Sequence, residues 1–298
     1  VAPDGGVSAY RVDLRTGNPS LISAVCFGGE DQSFITLDQR GSHVLIANYK
    51  AGSVEVVAVN ADGSLGRRTA FVQDHGHSVN PERQTHAYAH SVRIDPSGHF
   101  ALVADLGMDK VMVYRYDEQA GTLTPNDPPS ASITPGDGAR HTYFHPNGKW
   151  MYLICEMGSA IHVFDWNATN GTLTEKQRIS SLPPGFSGVN TAAEVLVHPN
   201  GKFLYASNRG DNSITTFAID PRDGRLTYLA RTSSEGKTPR NFDLDPTGRW
   251  MLVTNHDSDA AALFAVDPAT GRLTPRGGPM RVTYPFCPRF VPMEGGAG

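Results

Sequence analysis

The chain has 298 residues, 39% of them hydrophobic, with 26 Lys+Arg against 30 Asp+Glu. That length can bury a substantial core, and the near balance of charge, without a basic run, speaks against a nucleic-acid partner. The longest apolar stretches are strand-sized, so no membrane span is expected, and Cys26, Cys155 and Cys287 are too scattered for a disulfide framework or metal-ligand spacing, which suggests a reducing compartment, the cytoplasm.

From the N-terminus, residues 7–10 read as the third strand of a unit whose first two strands are missing, and Asp13-Leu14-Arg15-Thr16-Gly17 as its turn. Two phrases then alternate. The first is an apolar strand, Asp/His-Pro-x-Gly and a second apolar strand. It appears in degenerate form as Asp38-Gln39-Arg40-Gly41, then as Asp95-Pro96-Ser97-Gly98, His145-Pro146-Asn147-Gly148, His198-Pro199-Asn200-Gly201 and Asp245-Pro246-Thr247-Gly248. The second follows each copy: a strand, an acidic or amide residue, a Gly turn and Leu, as in Asp220-Pro221-Arg222-Asp223-Gly224-Arg225-Leu226. Gly in such turns supplies positive φ, and Asp or Asn supplies local hydrogen bonds.

Each repeat thus holds two hairpins, or four strands, predicted in the fourth unit at residues 142–145, 150–156, 160–166 and 173–179. No helix is read, and the longest insertions, residues 75–89 and 183–190, are predicted to be loops. Residues 287–290 read as a first strand with nothing after it. The turn glycines lie 47 to 57 residues apart, a period that indicates an all-β protein, a β-propeller of four-stranded blades with about six repeats recognisable. The expectation is one domain over residues 1–298. Either one split unit closes the ring from both ends, or an N-terminal blade is missing.

A propeller brings equivalent positions together. Eight residues before each turn glycine stand Ser33, His90, Arg140, Ala193 and Arg240; eight after stand Tyr49, Leu106, Glu156, Arg209 and His256; and Glu194 lies seven before. Both points belong to one end of a hairpin, so these groups are expected around one mouth of the channel. Three arginines suit a carboxylate or phosphate, or a developing oxyanion. Glu156 and His90 suit proton exchange. The set fits opening or closing the lactone ring of an anionic substrate. Any one of these charges alone is more often a structural ion pair, Glu156 with Arg209 or Glu194 with Arg240; their recurrence at equivalent places favours a site.

Other candidates are weaker. His141, His145 and His198 belong to the repeat phrases and read as structural, and so does the ring of Asn48, Asp105, Cys155, Asn208 and Asn255 seven residues after the glycines. His75, His77 and His86 fall in a loop and read as solvated, so no metal is expected.

The phrases His90-Ser91-Val92 with Val103-Ala104-Asp105-Leu106-Gly107, Ala139-Arg140-His141 with Phe144-His145-Pro146, Ala192-Ala193-Glu194 with Ser207-Asn208-Arg209-Gly210, and Thr238-Pro239-Arg240-Asn241-Phe242 resemble the lactonase propeller family over roughly residues 7–275. That family includes propeller-type 6-phosphogluconolactonases and a fungal carboxymuconate lactonizing enzyme. The resemblance implies seven blades, no required cofactor and a catalytic set at His90, Arg140, Glu156 and Arg209, with Glu194 and Arg240 further along the channel. His256 joins Glu194 and Arg240 as a substrate-binding candidate. The expected activity is hydrolysis of a small anionic sugar lactone, 6-phosphogluconolactone first. The rivals are a carboxymuconate cycloisomerase and a non-catalytic binding scaffold. No nucleic-acid or membrane partner is expected, and nothing in the sequence points to an oligomeric state.

Overall fold

A computed structural model of the chain describes residues 5–291, so residues 1–4 and 292–298 of the expected single domain lie outside the described residues. It divides into two compact units, one reaching Ser132 and the other running Ile133–Phe290. The first unit holds a two-stranded sheet, β1 (Val7–Val12) with β2 (Pro19–Val25), and two four-stranded sheets. These are β3 to β6 (Gln32–Leu37, His43–Asn48, Ser53–Val59, Leu65–Gln73) and β7 to β10 (Ala89–Ile94, Phe100–Asp105, Lys110–Asp117, Thr122–Ser132). The second holds β11 to β14 (Ala139–Phe144, Trp150–Cys155, Ala160–Asn167, Thr172–Ser180), β15 to β18 (Ala192–Val197, Phe203–Asn208, Ser213–Ile219, Leu226–Ser233) and β19 to β22 (Pro239–Leu244, Trp250–Asn255, Ala260–Val266, Leu273–Arg281).

Every four-stranded sheet is an antiparallel meander in chain order, the build of a propeller blade. Both long insertions fall between sheets, except that Ala89, the last residue of the first, opens β7. Residues 287–290 form no strand. Pro285 and Pro288 remove ladder donors there, and Phe290 N instead donates to Asp243 Oδ2 at 3.2 Å.

The two turn phrases close the hairpins by local bonding. Asp95 accepts from Ser97 N, His99 N and Phe100 N at 2.9 to 3.1 Å, with Gly98 at φ 79°. Where the phrase begins with His, the ring does more. His145 Nδ1 accepts from Asn147 N, and Nε2 donates to Gly201 O at 2.9 Å, in the next turn of the same kind; His198 does the same toward Gly248 O. The structural reading of these two histidines holds.

Burial is graded across each blade. The second strands β4, β8, β12 and β16 are buried at every position, whereas β22 is buried only at its first residue. A strand buried on both faces needs a neighbouring sheet on each side. In the second unit Tyr152, Ile154, Ile161 and Val163 of one sheet pack with Val195, Leu204, Ala206 and Phe217 of the next. A second layer joins Tyr205 and Ile214 to Phe242, Val253 and Phe264. In the first unit Leu45, Val54 and Val56 meet Val92, Val103 and Tyr114. Each such side chain contributes about 1.5–3 kcal/mol by leaving water.

Candidate active site

The first strand of every four-stranded sheet carries a bulge near its start. The ladder between β11 and β12 pairs Ala139 with Cys155 and His141 with Ile154, leaving Arg140 as an extra residue. The same slip isolates Ser33, His90 and Arg240 in β3, β7 and β19, and sets Ala193 and Glu194 against Ser207 in β15. These are the positions eight residues before the turn glycines. A bulge adds one residue and re-aims its side chain, so the repeat offers one redirected side chain per blade. β11 therefore begins at Ala139, earlier than the sequence pattern indicates, because an extra residue hides strand periodicity.

In the second unit the bulges and strand exits build a buried charge cluster. Arg140 Nε donates to Glu156 Oε2 at 3.0 Å, and Arg209 Nη2 reaches the same oxygen at 2.9 Å. Arg140 Nη1 also donates to Ala193 O, and Arg209 Nη2 to Ala192 O at 3.2 Å. Backbone of the neighbouring bulge thus holds both guanidiniums. Arg140 is 2% exposed and Glu156 6%; charges so deep persist only when paired.

A second row lies behind the first. His141 Nδ1 sits 3.1 Å from both carboxylate oxygens of Glu194, and its Nε2 lies 3.4 Å from Arg140 Nη1. This network assigns the proton to Nδ1 and turns the Nε2 lone pair toward Arg140. Asn241 Nδ2 and Val195 N also donate to Glu194. His141, Glu194 and Asn241 all stand seven residues before their turn glycines, and all are buried. Sequence reading placed His141 with the structural histidines and passed over Asn241. The available signal was the run of polar residues, with Ser91, at that single offset.

Burial and the charge of Arg209 push the Arg140 guanidinium down to about 9, with Glu156 opposing, so Arg140 remains a cation at neutral pH. Burial pushes Glu194 up, but the interaction with His141 and the charge of Arg140 prevail, and its net direction is down.

The remaining candidates lie around this cluster or in the first unit. Arg240 lies with its Cζ 5.0 Å from the Phe286 ring centroid, and the His256 ring is 4.9 Å from the same ring, with Nδ1 2.7 Å from Asp257 Oδ1. His90 sits in the first unit, 5% exposed, its ring 5.2 Å from that of Tyr49 and its carbonyl accepting from Ser33 Oγ at 2.8 Å. Among the described residues, no helix is long and apolar enough to cross a membrane.

Comparison with known proteins agrees with this architecture. The family profile described as "Lactonase, 7-bladed beta-propeller" matches residues 1–290. The 6-phosphogluconolactonase of Bacillus subtilis (strain 168) is 33% identical over 241 residues, 81% of this chain and 68% of that protein. A solved structure of the periplasmic gluconolactonase of Pseudomonas aeruginosa superimposes with a TM-score of 0.87 at 36% identity, over 95% of this chain and 79% of that one. A protein from Lactobacillus plantarum gives a TM-score of 0.90 at 33% identity, over 96% and 82%. The chain belongs to the lactonase family of seven-bladed β-propellers.

Proposed function

We propose that the chain hydrolyses a small anionic sugar lactone, with 6-phosphogluconolactone as the leading substrate. The observation that carries this reading is the pair of guanidiniums, from Arg140 and Arg209, on one oxygen of buried Glu156. Glu156 is the proposed acceptor of a proton from water. That water oxygen attacks the lactone carbonyl carbon, and the carbonyl oxygen takes the negative charge. Arg140 and Arg209 have further N–H groups to stabilise that oxyanion. The ring C–O bond then breaks, and the leaving alkoxide takes back the proton as the hydroxy acid forms. The family resemblance assigns His90 a proton-handling role of its own.

Arg240 and His256 are proposed to hold the anionic group of the substrate. Relatives named for both a phosphorylated and an unphosphorylated sugar lactone make that group the point of specificity. The test is acid release from fresh 6-phosphogluconolactone beside gluconolactone, followed by pH-stat with a Glu156→Gln control. Release dependent on Glu156 supports the reading. Equal release by the variant would sink it, and preference for gluconolactone would move the substrate while leaving the reaction.

A further inference from the structure

The second unit holds another buried group that the hydrolysis does not use. One ligand atom each from Asp137, Cys155 and His162 lies within 4.8 Å of the others, and all three residues are buried. Cys155 is in no disulfide. The ligands come from three places: the turn before β11, the end of β12 and the middle of β13. Cys155 pairs with Ala160, and His162 follows two residues later on the same face of the sheet.

The geometry points to a site for a thiophilic divalent cation of the zinc class, bound by Cys155 Sγ, His162 Nε2 and a carboxylate oxygen of Asp137. One thiolate, one imidazole and one carboxylate are ligand types zinc accepts, with an open position for water. The outer partners that such a site needs are already in place. His162 Nδ1 is 3.0 Å from Glu175 Oε1, which orients the ring and leaves Nε2 for the metal. Arg178 Nη2 and Nε donate to Asp137 Oδ1 and Oδ2, each at 2.7 Å, and fix the carboxylate. With a dication bound, Arg178 and the metal balance the charges of the thiolate, Asp137 and Glu175.

The alternative is a purely structural network, since His162 Nε2 also lies 2.8 Å from Asp137 Oδ2 and Arg178 Nε donates to that oxygen at 2.7 Å. Tetrahedral zinc needs its nitrogen and oxygen ligands about 3.4 Å apart and sulfur about 3.6 Å from nitrogen. The imidazole and carboxylate must therefore part by roughly half an ångström and the thiol close in. Those are side-chain movements, without a change in the strands.

The next blade shows what a structural network at these positions looks like. Counted from the turn glycine, Asp137, Cys155 and His162 correspond to Asn190, Asn208 and Thr215. There Asn190 Nδ2 donates to Asn208 Oδ1 at 3.2 Å, and Asn208 Nδ2 to Thr215 Oγ1 at 3.1 Å. Amides and a hydroxyl close that set without ionisable groups. The β11 to β14 sheet places three metal-ligand side chains in the same frame, and Asn48 and Asn255 hold the Cys155 position in two other sheets.

The location gives the site a consequence. Cys155 immediately precedes Glu156, and Asp137 O accepts from Met157 N and Gly158 N at 3.0 and 2.9 Å. A bound cation would brace the two strand ends that carry Arg140 and Glu156.

The experiment is titration of Co2+ alone into the chelator-stripped full chain, followed by competition with Zn2+. One equivalent of Co2+ is expected to produce a near-ultraviolet thiolate-to-cobalt band that Zn2+ displaces. Cys155→Asn, which installs the residue of the equivalent positions, is expected to abolish the band. It should weaken Zn2+ binding by more than about 100-fold, past the loss that removal of an outer partner causes. The double variant Cys26→Ser/Cys287→Ser is expected to keep the band. No band in folded wild-type protein, a band surviving in Cys155→Asn, or one lost with Cys26 and Cys287 would overturn the assignment.

Discussion

The sheets β11 to β14 and β15 to β18 share one frame and differ where chemistry is placed. Both close their first hairpin with His-Pro-Asn-Gly, and both send that histidine to the following turn glycine. Both bulge at the start of the first strand. In one sheet the bulge carries Arg140 followed by His141; in the other it carries Ala193 followed by Glu194. The second strands exit into Glu156 and Arg209 respectively. Arg140 meets Glu156 within one sheet, while the Arg209–Glu156 ion pair and the His141–Glu194 contact run from one sheet to the other. The frame is thus the part each blade builds for itself, and the cluster is what adjacent blades build between them.

Glu156→Gln breaks this comparison most severely. It removes the negative charge that both arginines share and the proposed base, while leaving an amide oxygen to accept. Turnover of the lactone is expected to fall by about 10²–10⁴-fold, read by initial rates of acid release, with the circular-dichroism spectrum retained. Arg140→Lys asks for less. It keeps a charge and loses the fork that reaches Glu156 and Ala193 O together. A loss of about 10²-fold in kcat is expected, the scale of one oxyanion donor; a rate within a factor of a few of wild type would show that charge alone suffices.

His141→Asn sharpens the comparison without touching the front row. The amide can still donate to Glu194, but the nitrogen facing Arg140 is gone. His141 is a positioning residue, so kcat should drop about 10-fold with KM nearly unchanged. A rise in KM at constant kcat would instead mean that it shapes substrate binding. Arg240→Gln is expected to show that opposite pattern, KM rising several-fold for a phosphorylated lactone and little for gluconolactone, because the charge it removes is the one proposed to hold the anionic group.

Much of the frame was legible in the residues. The turn phrases need Gly at positive φ and Asp or His to bond the turn, so their recurrence marked hairpins and period together. The recurrence of Arg140, Glu156 and Arg209 at equivalent offsets also marked them as one group. Three features were not legible. An alternating pattern cannot reveal a bulge, since one inserted residue looks like a strand that begins later, as in β11. His141 and Asn241 depend on a partner in the adjoining blade, so their role follows from packing and not from their own strand. Residues 287–290 had strand composition, but Pro288 within the segment and Pro285 just before it remove ladder donors.

The position seven residues after the turn glycine provides the gentlest test, in the first unit. Asn48, Asn208 and Asn255 stand there in three sheets and Asp105 in another. The amides suit it: Asn208 donates to Ser181 O and accepts from Ser181 Oγ. Asp105 accepts from Tyr88 N and Met108 N through Oδ1, while buried Oδ2 has no hydrogen-bond partner among the described residues. Burial, with the charge of Asp74 adding to it, pushes the Asp105 carboxyl up to about 7 against the Tyr88 and Met108 backbone donors. Burial also raises Asp74, opposed by the Tyr114 hydroxyl and the charge of His75. The folded chain therefore holds a proton at Asp105 that the unfolded chain has already released, so unfolding releases it. Stability must fall as pH rises from about 4 to about 7 and then level off. Asp105→Asn, the residue of the sister sheets, removes the titrating group and offers an N–H toward Asp74. Its melting temperature is expected to exceed that of wild type near pH 8 and to approach it as pH falls below about 4, because below the unfolded carboxyl's own range Asp105 is protonated in both the folded and the unfolded chain. A variant with the same pH dependence as wild type would assign that dependence to Asp74 and its Tyr114 partner.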